Sequence, residues 1–133
     1  MKMVIFDQWE ALVKRFRSIA SASAESANRY ALVSLDSSSG SAKLTDHAIN
    51  TSVVSGGAVK FTVPDIEPGK ARDFMLRLKA TAETEISFAG ADAFESDDPD
   101  VFGAVYEGET VLIYFTETEG DVFSVARKNV ETI

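Results

Sequence analysis

Apolar and polar residues alternate most legibly between Gly108 and Arg127, GETVLIYFTETEGDVFSVAR. Val111, Ile113 and Phe115 fall on one side of an extended backbone and Leu112, Tyr114 and Thr116 on the other, because successive side chains alternate across a strand. Both sides are largely apolar, which predicts an interior strand covered on both faces. The polar run from Glu117 to Asp121 contains Gly120, the residue that adopts a positive φ at least cost, and VFSVAR then resumes the alternation. The segment is a predicted β-hairpin on which upstream strands should pack.

The N-terminal spacing is different. Phe6, Trp9, Val13, Phe16, Ala20, Ser23, Ala27 and Tyr30 step by three and four residues, with Leu12 and Ile19 widening the stripe, as on one face of a helix. Asp7 stands near the predicted start, where a carboxylate meets unpaired backbone donors and the positive end of the helix dipole. Two readings of this face stay open. It covers a sheet of its own chain, or it forms an inter-chain seam of Phe6, Trp9, Val13, Phe16, Ala20 and Ala27, in which the small residues of SIASASAESA let two helix axes approach.

Between these segments the chain reads as short strands and turns. YALVSLD, from Tyr30, is a helix end or short strand, and SSSGS is a flexible link. Residues 42–54 carry β-branched residues with poor alternation, Ser55-Gly56-Gly57 is a turn, and AVKFTV is a strand stopped by Pro64. PDIEPGK is a loop. In ARDFMLRLK, Phe74, Leu76 and Leu78 point to a core while Asp73, Met75, Arg77 and Lys79 face water. A further strand is expected at Ile86–Phe88, and a polar loop from Asp92 to Asp100. The fold class expected is α+β: one N-terminal helix (1–35), a linker with irregular or edge strands (36–57), and a mostly antiparallel β-domain (58–133), either a sandwich or a small barrel.

Composition narrows the function classes. A chain of 133 residues is about one domain's worth. The net charge of −8 argues against nucleic-acid binding, which calls for a basic face. The charge is uneven: up to Arg29 there are five basic residues against three acidic ones, so the acidic excess lies in the expected β-rich part. Without cysteine there is no disulfide, thiolate metal site or cysteine nucleophile. Asp7, Glu10, Lys14, Arg15 and Arg17 interrupt any apolar signal-peptide core, and no uninterrupted run of about 18 apolar residues predicts a membrane span.

Candidate chemistry is sparse. His47 follows Asp46 and serines abound, but no G-x-S-x-G elbow is present and adjacent strand residues point to opposite faces, so a surface histidine is expected rather than a triad. Asp92, Glu95, Asp97, Asp98 and Asp100 crowd one loop, and hard cations take oxygen ligands, but Phe94 at the third position breaks the EF-hand ladder. No phosphate-cradling glycine motif occurs. Phe88, Phe94, Phe102, Tyr106, Tyr114, Phe115 and Phe123 are expected to be core, with a sugar-stacking platform as the other use of such rings. No catalytic, cofactor-binding or metal-ligating residue is assigned.

ARDFMLRLKA, then EISFAGADAFESDDPDVFG, then GETVLIYFTETEGDVFSVARK resembles the small C-terminal β-modules of phage and prophage appendage proteins, which occur in tail-fibre, tail-tip and head-fibre proteins. The likeness covers about Val59 to Lys128. It implies a non-enzymatic virion component, commonly a homotrimer, that contacts other virion proteins or a host-surface receptor and resides in the virion or in the cytoplasm of the producing cell. No internal repeat suits a fibre shaft, so a compact adaptor, tip or decoration protein is expected. The alternative is a carbohydrate- or cation-binding β-module using Asp97, Asp98 and Asp100 or an exposed aromatic.

Overall fold

The structure is a computed structural model and describes Leu12, Val13 and residues 30–130. Among these, nine strands form two sheets. β1 (Ala31–Ser34), β3 (Ala48–Ser55) and β5 (Asp73–Ala82) stack side by side, all parallel. β2 (Ser41–Lys43), β4 (Ala58–Thr62) and β6 (Glu85–Ala89) stack in the same way in a second, three-stranded sheet. The chain therefore alternates between sheets, β1 to β2, β3 to β4, β5 to β6, and describes three turns of a flattened parallel coil. β7 (Ala93–Glu95), β8 (Thr110–Glu119) and β9 (Val122–Val130) extend the first sheet to six strands in the order β1-β3-β5-β8-β9-β7.

This arrangement corrects the expected helix-plus-antiparallel layout. The described residues are nearly all β, and five of the seven strand pairings are parallel; only β5–β8 and β8–β9 are antiparallel. Alternation along a strand reports that its faces differ, and is blind to the direction of the neighbour. Short glycine corners were the misleading signal. Gly56 and Gly57, both at positive φ (107° and 69°), join β3 to β4 as a hairpin turn would, yet those strands lie in different sheets. The 1–35 segment ends in β1, and the predicted helix otherwise lies outside the described residues except for Leu12 and Val13. These two have helical backbone and pack, half-buried, against the outer face of the larger sheet beside Met75, Tyr114 and Ala126. Residues 36–57 carry β2 and the whole of β3, whose Ala48, Asn50, Ser52 and Val54 are buried.

The two sheets bury a common core. β4 contributes Val59 and Phe61, β5 contributes Phe74, Leu76 and Leu78, and β8 contributes Val111, Ile113 and Phe115, each on the period of two that a one-sided core imposes. Rings concentrate at one end. Phe74 and Phe115 are cross-strand partners, stacked with centroids 4.9 Å apart, and Phe88 from β6 meets Phe115 edge-on at 4.9 Å. Phe94 and Phe123 stack at 5.9 Å across β7 and β9. The hairpin stands as expected, with β8 interior and Tyr114 fully buried on its other face. Its turn differs in one detail: Asp121, at φ 61°, takes the left-handed conformation in place of Gly120.

Asp121 is used there for its carboxylate. Arg72, 2% exposed, donates from Nη2 to Glu117 Oε2 (2.8 Å) and Asp121 Oδ1 (3.0 Å), and from Nη1 to the Pro64 carbonyl (2.6 Å). Its guanidinium carbon lies 4.7 Å from the Phe123 ring centroid. Glu117 also accepts from the backbone N–H groups of Arg72 (2.9 Å) and Asp121 (2.8 Å). One buried ion cluster thus ties the proline loop, the start of β5 and the hairpin turn together.

The hydrogen bonds from the Arg72 side chain hold the Glu117 carboxyl at about 2, well below its ordinary 4.5. A carboxylate depressed by folding stabilises the native state above its unfolded pKa, and that contribution is lost as pH falls through the folded value. Stability should therefore decline between about pH 5 and pH 2, by on the order of 3 kcal/mol from this group. Urea unfolding at stepped pH should show this slope in the wild type and a flatter one in Glu117→Gln. An equal slope in both would assign the acid sensitivity elsewhere.

Candidate functional site

The first turn of the coil is open. β1 and β2 are terminal strands of their sheets, so among the described residues no strand pairs with their outer edges. Leu32 on β1 is 75% exposed. It begins an apolar row across the outer face, Leu32–Ile49–Met75–Tyr114–Ala126, set by strand register. The row is buried from Met75 to Ala126, where Leu12 and Val13 pack nearby, and becomes exposed at its β1 end.

Beside this edge lies a groove of about 720 Å³. It exists because β1 stops at Ser34 whereas β3 runs on to Ser55, leaving Ser52–Ser55 paired with β5 on one edge and, among the described residues, with no strand on the β1 side. The chain after β1 turns across the gap, and polar contacts hold it. The Ser37 hydroxyl lies 2.8 Å from the Ser52 hydroxyl, Ser52 Oγ donates to the Leu35 carbonyl (3.1 Å), and Asp36 Oδ1 accepts from the Ser38 N–H (2.9 Å). Hydrogen bonds from Ser38 hold the exposed Asp36 carboxyl below its ordinary value. Across the groove, register places Ser34, Thr51 and Arg77 in one row and Val53 and Lys79 in the next. Arg77 and Lys79 are exposed and make no ion pair among the described residues, whereas Lys43 pairs with Asp65 and Lys70 with Glu67. The groove thus combines two cations without an ion pair among the described residues, hydroxyls, one carboxylate acceptor and the exposed Val53 side chain.

The residues singled out in the sequence are placed elsewhere. Of the expected seam, Val13 is described, on the sheet's outer face, while Phe6, Trp9, Phe16, Ala20 and Ala27 lie outside the described residues. Asp98 caps a 3-10 turn (Pro99–Phe102) by accepting from the Asp100 N–H at 2.9 Å, and the Asp98 N–H donates to Ser96 Oγ. Arg127 then secures that loop through the Gly103 (2.7 Å) and Ala104 (2.8 Å) carbonyls. Among the described residues no group of three or more histidine or acidic side chains is arranged to hold a metal ion. Phe88, Phe94, Phe115 and Phe123 line the core; Phe102 and Tyr106 are exposed. His47, at φ 50°, packs against the Tyr30 ring, and its neighbour Asp46 accepts from the backbone N–H groups of His47 and Asp73. No helix among the described residues is long and apolar enough to cross a membrane.

The groove was not foreseen, because SSSGS reads as a linker and RLK as a wet strand face. The one signal for it was Arg77 and Lys79 at a spacing of two in a strongly acidic chain. Among the described residues, fold and groove define a short, two-sheeted parallel β-coil with no strand beyond its first turn, closed at the other end by an antiparallel hairpin. Neither the protein-family models, the curated proteins nor the solved structures contain a match to this chain.

Proposed function

We propose that the chain is a non-enzymatic structural or attachment protein that works as a homo-oligomer, in the manner of an adaptor, tip or decoration component of a phage or prophage particle. The observation that carries the assembly reading is the open first turn. Among the described residues β1 has no strand on its outer edge, which offers backbone donors and acceptors with an exposed Leu32 beside them, and an edge of this kind is a template for another chain. A second copy supplies a complementary edge by symmetry. The virion context is supported by the likeness of the β5 and β8–β9 strands to appendage modules.

Light scattering after size exclusion tests the assembly. The full chain is expected to run as an oligomer, and Leu32→Lys, which places a charge on the edge, is expected to run as a folded monomer. A wild-type monomer, or an oligomer indifferent to Leu32→Lys, would remove the β1 edge as the assembly surface.

A further inference from the structure

We infer that the groove between the Asp36–Gly40 loop and the end of β3 binds an acidic saccharide through Arg77 and Lys79. The two cations lie on one face of β5, two residues and hence about 7 Å apart, close enough to engage carboxylates of one short oligosaccharide. Both are exposed, both lack an ion-pair partner among the described residues, and both project into a groove of a size suited to a small ligand.

The remaining lining decides the ligand class. Ser34, Ser38, Thr51 and the Asp36 carboxylate offer donors and acceptors suited to sugar hydroxyls, and the Val53 side chain offers an apolar surface for a ring face. A simple inorganic anion would use the cations and leave this hydroxyl-rich wall idle. The net charge of −8 opposes non-specific capture of polyanions, so retention of an acidic polymer must come from a local site. Arg77 and Lys79 sit two strands in from the β1 edge, a lateral distance of about 10 Å, so edge pairing leaves the groove accessible.

Affinity electrophoresis of the full chain through gels containing polygalacturonate or polysialic acid tests the site, with dextran and polyglutamate as the neutral and non-saccharide controls. Retardation by at least one of the two acidic glycans, and by neither control, is expected. Arg77→Ala/Lys79→Ala should weaken it by at least about tenfold. These side chains are exposed, so the variant should keep the wild-type melting temperature. Lys60→Ala/Lys70→Ala, which removes the same charge elsewhere, should bind like the wild type. Leu32→Lys should also bind, which separates this site from the assembly surface. Indifference to both acidic glycans, equal retardation by polyglutamate or dextran, or unchanged binding in the Arg77/Lys79 variant would each overturn the assignment.

Discussion

Arg72→Ala is expected to destabilise the fold by about 3–5 kcal/mol, because it leaves Glu117 buried without its cation. The Glu117 side chain is 8% exposed, and the two backbone N–H groups it also accepts from do not replace a full positive charge. The loss extends beyond the pair. The Pro64 carbonyl loses its 2.6 Å donor, Asp121 loses the contact that accompanies its left-handed backbone, and Phe123 loses the cation above its ring. Urea denaturation at neutral pH measures the effect. Removing both charges at once, as in Arg72→Met/Glu117→Leu, should recover part of the loss, since an apolar pair carries no desolvation penalty. A cost below about 1 kcal/mol for Arg72→Ala would mean that water reaches Glu117 readily.

Phe115→Ala should cost about as much, ~3–5 kcal/mol, for a different reason. Phe115 is fully buried and its ring meets four others: Phe74 stacked at 4.9 Å, Phe88 edge-on at 4.9 Å, and Phe94 and Phe123 at 6.4 Å. Truncation removes the centre of the cluster, and the surrounding rings come from β5, β6, β7 and β9, whose backbones are pinned in two sheets and cannot collapse inward together. Tyr106→Ala, at an exposed position, should fall within about 0.5 kcal/mol of the wild type. Thermal and urea unfolding of the two variants side by side gives the comparison. Similar small losses in both would show a loosely packed ring cluster.

The hairpin was legible because it is local. Alternation in VLIYF, a polar interruption and renewed alternation in VFSVA define two strands and their reversal within one short stretch, and β8 and β9 pair as that pattern implies. The inward face of β5 was legible for the same reason, and Phe74, Leu76 and Leu78 are fully buried. Its outward face was only half legible. Arg77 and Lys79 are exposed as expected, but Asp73 and Met75 are buried, Met75 within a second apolar cluster around Tyr114. Nothing in ARDFMLRLK distinguishes the covered end from the open one.

The groove was illegible for a related reason. Its walls come from β1, the loop after it, β3, the β3–β4 corner and β5, and they meet only because β1 and β3 differ in length within a parallel stack. Arg77 lies 26 residues from its row-mate Thr51, a separation set by the length of the proline loop and of β4. The buried ion cluster is similar: Arg72 and Glu117 are 45 residues apart, and among many acids in the sequence nothing singles out Glu117.

The order of residues by itself thus determined the β8–β9 hairpin and the inward face of β5: side chains alternate across an extended backbone, and burial of one side leaves a period of two in the sequence. Which strands become neighbours, and in which direction, was decided by the folded chain. Parallel partners are separated by a whole turn of the coil, and their backbone hydrogen bonds are the same for almost any side chains, so pairing leaves no local mark. Register then placed Arg77 and Lys79 beside the serine loop, and strand order left β1 at the edge of its sheet among the described residues, the two features on which the proposed binding and assembly rest.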